Sequence, residues 1–237
     1  MIKGKKVVAI IPVRKNSKGI RNKNLIKIGG FSLLERTILI AKKSHLIDDV
    51  WVSTDCRKMF NISKKLSVDL GKLRSRKLAT SRALTIDVIK DVIKKKKIIN
   101  SYILLLQVSS PARTLKMTNS FLKNFNKNKK ALSSVSLTKL LHPHPNKVQV
   151  VKKNYIKSYL NKESMVPRQF LPEVYFLNGL FYIAESKYIL KKNSFFTKKT
   201  SPFFVDHNKS LNLDSKDDTI ILKNRIKNKD INKKFLS

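Results

Sequence analysis

"KVVAIIPV", residues 6–13, is a β-branched apolar run of the kind that forms a strand buried on both faces, as strands of a parallel sheet are. It passes directly into "RKNSKGIRNKNL" (14–25), a loop crowded with Lys and Arg around a single Gly. In an open parallel sheet, ligands bind beyond the C-terminal ends of the strands, which is where this loop must lie. Arg and Lys there can pair with phosphate oxygens, and Gly19 lets backbone N–H groups approach them. The usual phosphate signatures, G-x-x-x-x-G-K-[ST] and G-x-G-x-x-G, are absent.

Working outward, strand and helix patterns alternate. "SLLERTILIAKKS" (32–44) opens with Ser32 and has Glu35 three residues on, a capping-box signature ahead of apolar residues at helical spacing. "DVWVSTD" (49–55) reads as a second strand, 56–66 as a helix, "SVDL" (67–70) as a short strand and 84–96 as a helix. "SYILLLQVSS" (101–110) is an apolar strand ending in small polar residues, followed by a helix at 117–128 and a strand at 131–137. Strands separated by helices of this size imply βαβ crossovers and a mainly parallel sheet covered on both faces. From about 140 to 176 the rhythm breaks: Pro143, Pro145, Pro167 and Pro172 punctuate short β-like pieces, predicting an excursion before "GLFYIA" (179–184) rejoins the sheet.

A length of 237 residues suits one domain, taken as 1–222, with a basic helix or tail over 223–237. No apolar run is long enough for a membrane span, and the N-terminal run reads as a strand and not a cleaved leader. Cys56 is the one cysteine, which excludes an intrachain disulfide and a cysteine-built zinc cluster and predicts a reducing, cytoplasmic setting. The charge is loud: 52 Lys and Arg against 15 Asp and Glu, a net +37. Such a field draws anions, nucleic acid included, but the bases are spread along the whole chain beside abundant Asn and Ile, so solvated surface Lys is the simpler reading and nucleic acid is not the expected partner.

The stretch from Ile10 to Leu25 resembles the signature loop of the acylneuraminate cytidylyltransferases, and the likeness continues in order through "GGFSLLERTI" (29–38), "VWVSTD" (50–55), "LLLQVSSPAR" (104–113), "HPNK" (144–147), "PRQFLPEVYFLNGLFYI" (167–183), "SFF" (194–196) and "SLNLD" (210–214). The resemblance implies a three-layer doubly wound α/β fold of the nucleotide-diphospho-sugar transferase type with a small protruding β-rich dimerisation excursion. It implies a reaction in which the anomeric hydroxyl of a 2-keto-3-deoxy sugar acid attacks the α-phosphate of CTP, with Mg²⁺ as cofactor. Arg14, Ser17, Lys18, Gly19 and Lys23 would hold the triphosphate, Asn24 would position the nucleotide near the reacting centre, and Arg74 would sit beside cytosine and ribose. Lys23, Asn24 and Asp214 would form the catalytic group. Thr85, Gln107, Arg168, Tyr182, Phe195 and Phe196 would bind the sugar, Arg168 through its carboxylate and across a homodimer interface, the aromatics against an N-acyl group. Asp214 and Asn212 would hold the metal.

Three positions depart from the family pattern. Asn212 stands where a second aspartate is usual, Ser81 where "DTAS" has Asp (with Arg82 beside it), and Val108 where a proline follows Gln107. Asn offers Mg²⁺ a carbonyl oxygen without the charge a hard cation prefers, so weaker metal binding is expected. The matched order "PRQ…NG…FF" favours an N-acylated nine-carbon acid; legionaminate, pseudaminate and the eight-carbon Kdo are the alternatives, and a weak homologue retained for binding anions or nucleic acid is the non-enzyme one. His144 and Cys56 are given no catalytic role.

Overall fold

The computed structural model describes residues 1–15, 19–68, 71–160, 165–228, 231 and 234–236. A central sheet holds β1 (Val7–Val13), β4 (Asp49–Thr54), β5 (Tyr102–Leu105), β6 (Ser133–Lys139), β9 (Tyr175–Glu185) and β10 (Thr200–Phe204) in the order β10-β6-β9-β5-β1-β4. β1 pairs in parallel with β4 and β5, and β6 with β10; β9 alone runs against its two neighbours, β5 and β6. Two small hairpins lie outside the sheet: β2 (Lys27–Ile28) with β3 (Phe31–Ser32), and β7 (Gln149–Lys152) with β8 (Tyr155–Ser158).

The alternation of β1 explains the three layers. Val7, Ala9, Ile11 and Val13 belong to one buried cluster with the apolar faces of α1 (Leu33–Lys43), α2 (Arg57–Lys65) and α4 (Leu115–Lys127), and with Leu222 of α6 (Lys216–Lys227). Val8 and Ile10 belong to a second cluster with α3 (Thr85–Lys95) and Ile189 of α5 (Ser186–Lys192). Each buried branched side chain on either face contributes about 1.5–3 kcal/mol. The predicted capping box is present: Ser32 accepts from Glu35 N, and the Glu35 carboxylate accepts from Ser32 N at 2.6 Å. Ser215 and Asp218 build a second one at the start of α6.

Several boundaries differ from the sequence reading. No strand forms at Ser67 and Val68, where Ser67 takes a left-handed turn (φ 53) behind α2; Asp69 and Leu70 lie outside the described residues. The strand expected over 101–110 stops at Leu105; Leu106 N still donates to the Ile10 carbonyl at 3.1 Å, and Gln107, Val108 and Ser109 then turn onto the ligand side. The last predicted strand is longer than 179–184 and antiparallel. β10 went unread because Pro202 breaks a strand pattern, yet Pro is tolerated on an edge strand, and β10 is one. The expected boundary at 222 falls inside α6.

Candidate active site

At the C-terminal ends of β1, β4 and β5 lies a cleft of about 390 Å³. Its walls come from five parts of the chain: Arg14, Gly19, Lys23 and Asn24 after β1; Arg74, Thr80 and Ser81 after β4; Thr85 and Val88 in the first turn of α3; Gln107, Val108 and Ser109 after β5; and Asp214 ahead of α6. That is the crevice where an open α/β sheet takes its ligand. The chain turns back on itself after β1, and the buried Asn24 side chain fixes the turn by donating from Nδ2 to the Arg14 carbonyl at 3.0 Å. Arg14 Nη1 in turn donates to the Thr80 carbonyl at 3.2 Å, tying this loop to the wall beyond β4.

Gly19 rests on the backbone of Asp214: a Cβ at this position would stand 1.9 Å from the Asp214 carbonyl oxygen. Lys23 crosses the same junction, donating from Nζ to the Leu213 carbonyl at 2.5 Å and pairing with Asp214 Oδ1 at 3.1 Å. The other carboxylate oxygen accepts from Asn212 Nδ2 at 2.5 Å. Two segments 191 residues apart are thereby locked together with a cation and an anion facing the cleft. Asp218 holds the far side, its carboxylate accepting from the backbone N–H of Asp214 and of Ser215. Although burial would raise its pKa, those hydrogen bonds, the Ser215 hydroxyl and nearby Lys23 together keep this carboxyl below its ordinary value.

Arg74 is the buried cation of the cleft, 8% exposed. It donates from Nε to Ser53 Oγ at 3.0 Å and from Nη2 to the carbonyls of Val13, at 3.0 Å, and Ser53, thus joining the ends of β1 and β4. Burial pushes its guanidinium down to about 10, still charged at neutral pH, with Asp55 opposing the shift. On the opposite wall, the Gln107 side chain lies over Gly179 of β9, where φ is +76 and a Cβ would come within 2.9 Å of Gln107 Oε1. Gly179 is required twice, for that conformation and for that contact. The assembly can neutralise an extended polyanion and place a neutral amide beside it.

The family model described as Cytidylyltransferase matches residues 8–230. The chain belongs to this family. Among curated relatives it is 28% identical to a post-translational flagellin modification protein B of Campylobacter coli (96% of this chain, 98% of the relative). It is 28% identical to an N-acylneuraminate cytidylyltransferase of Streptococcus agalactiae, over 91% of this chain but only 52% of that longer protein. It is 27% identical to a CMP-N,N'-diacetyllegionaminic acid synthase of Legionella pneumophila (89% and 91%). Among solved structures, a CMP:2-keto-3-deoxy-manno-octonic acid synthetase complexed with CTP superimposes with a TM-score of 0.69 at 14% identity, covering 94% of this chain and 99% of that one, a likeness of fold.

Within the family frame, Arg14, Gly19, Lys23, Asn24, Arg74, Thr85, Gln107 and Asp214 converge on one cleft. Ser17 and Lys18 lie outside the described residues. Asn212 stands one step behind the wall, holding Asp214. Tyr182 and Phe195, expected against an N-acyl group, pack into the cluster beneath α3 and α5, with ring centroids 6.0 Å apart, and neither is among the residues that line this cleft. Burial pushes the Tyr182 phenol above its ordinary value. Phe196 is half-exposed and also outside the cleft. Tyr182 is paired with Leu105 in the ladder and packs with it in the cluster that α3 covers. Arg168 sits on the excursion, Nη1 3.1 Å from His142 Nε2, away from this cleft. His144 caps a turn, accepting from Asn146 N at 3.2 Å, and Cys56 begins α2. Sequence reasoning missed Thr80, which carries no motif, and gave no role to Ser109 within "LLLQVSSPAR"; both line the cleft.

Proposed function

We propose that the chain transfers CMP from CTP to the anomeric hydroxyl of an N-acylated nonulosonic acid, releasing pyrophosphate. The observation that carries this reading is the locked junction of Gly19, Lys23 and Asp214 opposite Gln107 across one cleft. The anomeric oxygen forms a bond to the α-phosphorus, the bond from that phosphorus to the bridging oxygen of the pyrophosphate breaks, and the hydroxyl proton is lost to solvent. Such transfers depend chiefly on positioning and on neutralising the moving oxygens, which Arg14, Lys23 and Arg74 do with charge and Asn24 does by fixing the loop. Gln107 and Thr85 are placed to meet the sugar.

The residues present fit Mg²⁺ that arrives with the triphosphate. Among the described residues, Asp214 is the one carboxylate lining the cleft, Asn212 Oδ1 is buried with no hydrogen-bond partner, and no group of three His, Cys, Asp or Glu gathers. Mg²⁺ ordinarily takes one or two carboxylates plus phosphate oxygens, so Asp214, with Asn212 Oδ1 behind it, would hold an ion that supplies charge neutralisation of the triphosphate.

A homodimer is part of the proposal. The β7–β8 excursion exposes Val151, Tyr155, Ile156 and Phe170, each more than two-thirds open, an apolar surface that a second copy would cover while bringing Arg168 toward its cleft. No helix among the described residues is long and apolar enough to cross a membrane. A cytoplasmic setting accords with the lone Cys56.

The test is pyrophosphate release with a panel of CTP, ATP, GTP and UTP against neuraminate, legionaminate, pseudaminate and Kdo. Turnover is expected only with CTP and the nine-carbon acids. Binding of DNA that weakens with salt, together with no pyrophosphate from any pair, would overturn the proposal in favour of anion binding alone.

A further inference from the structure

Arg113 lies in the turn before α4 and is 1% exposed, among the largest fully buried side chains. Its Nη2 donates to the Gln107 carbonyl at 2.7 Å and to the Leu180 carbonyl at 3.0 Å, while Nε and Nη1 have no hydrogen-bond partner among the described residues. No carboxylate pairs with it among the described residues, and its guanidinium carbon lies 5.6 Å from the Phe181 ring centroid. A buried cation with two idle nitrogens is costly unless it serves a purpose elsewhere.

The register of β5 and β9 shows where it acts. Their ladder ends at Leu105 paired with Tyr182, and the next same-facing pair would be Gln107 opposite Leu180. At that point the strands have separated, and one guanidinium nitrogen stands between the two carbonyls, replacing the ladder bonds that would have closed them. Ser110 Oγ adds a 3.5 Å contact to the Gly179 carbonyl, and Leu213 N donates to the Ser109 carbonyl at 2.8 Å, so the same loop also carries the Asp214 segment.

We propose that Arg113 is a positioning residue: a guanidinium wedge that splays β5 from β9 and so sets the Gln107 side chain on Gly179 for contact with the sugar acid. This inference rests on the function proposed above. Its uncompensated charge under that wall also favours an anionic sugar. Arg113 touches no substrate, so its effect runs through Gln107.

Steady-state kinetics with both substrates test it. Arg113→Met should raise KM for the sugar acid about tenfold while KM for CTP stays within about twofold, and Arg113→Lys, which keeps a charge and more than one donor, should recover part of the loss, leaving a rise of about fourfold. In a Gln107→Ala background, Arg113→Lys and Arg113→Met should add less than about twofold, because interacting residues are non-additive. If Arg113→Met does not fold, the cycle of Arg113→Lys with Gln107→Ala decides, with a rise in sugar KM that vanishes without Gln107 as the expected result. Equal changes in both KM values, full additivity with Gln107→Ala, or a lowered melting temperature with unchanged KM would overturn the wedge. A wild-type chain that makes no pyrophosphate sinks the proposed function itself, whereas an active wild type with any of those three results sinks the wedge alone.

Discussion

Substituting Gly19 by Ala adds one methyl group at the junction between the β1 loop and Asp214. That carbon would lie 1.9 Å from the Asp214 carbonyl oxygen, whereas ordinary contact begins near 3.4 Å, so the two segments must part by about 1.5 Å. The strain is one of space, since Gly19 does not have a left-handed backbone. The same parting carries the 3.1 Å Lys23–Asp214 pair beyond 4 Å and opens the 2.5 Å bond from Lys23 to the Leu213 carbonyl. Misplacement of about 1 Å at a transferring centre costs about 10²-fold, so kcat/KM for CTP should fall roughly a hundredfold, about 2.7 kcal/mol. Gly19 is on the surface and its loop can yield outward, so the melting temperature should drop by no more than about 2–4 °C, the equivalent of about 1 kcal/mol in a chain this size. Pyrophosphate release and a thermal melt on the same preparation measure both. A Gly19→Ala variant with kcat/KM within about threefold of wild type would refute the claim that this contact sets the site.

Asn212→Asp restores a second carboxylate beside Asp214 and should lower the Mg²⁺ concentration that gives half-maximal rate; an unchanged or higher requirement counts against Asn212 as part of the metal's surroundings. Asp218 has its carboxyl pKa depressed in the folded chain, so its contribution to stability is present above the unfolded carboxylate value near 3.8 and is lost as pH falls through the lower folded value. Asp218→Asn should therefore melt lower than wild type at pH 7, and the gap should close in acid; a gap independent of pH would be contrary. Phe195→Ala should destabilise by about 3–5 kcal/mol, as a buried aromatic does, with no selective loss of sugar affinity in whatever fraction remains folded, and a sugar KM change without a stability change would return Phe195 to the binding wall.

Local features were legible before any coordinates. The continuous β-branched apolar run in 6–13 announced a strand buried on both faces, Ser32 and Glu35 announced a helix start, and the cationic turn after the first strand announced an anion site. Each depends on residues within a few positions of one another. The placing of the aromatics was not legible, because "FYI" and "SFF" have identical chemistry whether they face a ligand or the core, and only tertiary packing brings Tyr182 and Phe195 into one cluster. Arg113 was passed over because a lone Arg before a helix has no pattern that tells a buried wedge from a solvated side chain.

By itself, then, the sequence determined the layered α/β plan, the loop that grips anions and the family, because propensity, capping and periodicity act over single turns and strands. Tertiary structure alone decided that β9 runs antiparallel, bringing Gly179 beneath Gln107, and that Asp214 closes on Gly19 and Lys23 from 191 residues away. The physical reason is that strand order and register determine which distant backbones meet, and no local propensity encodes that meeting.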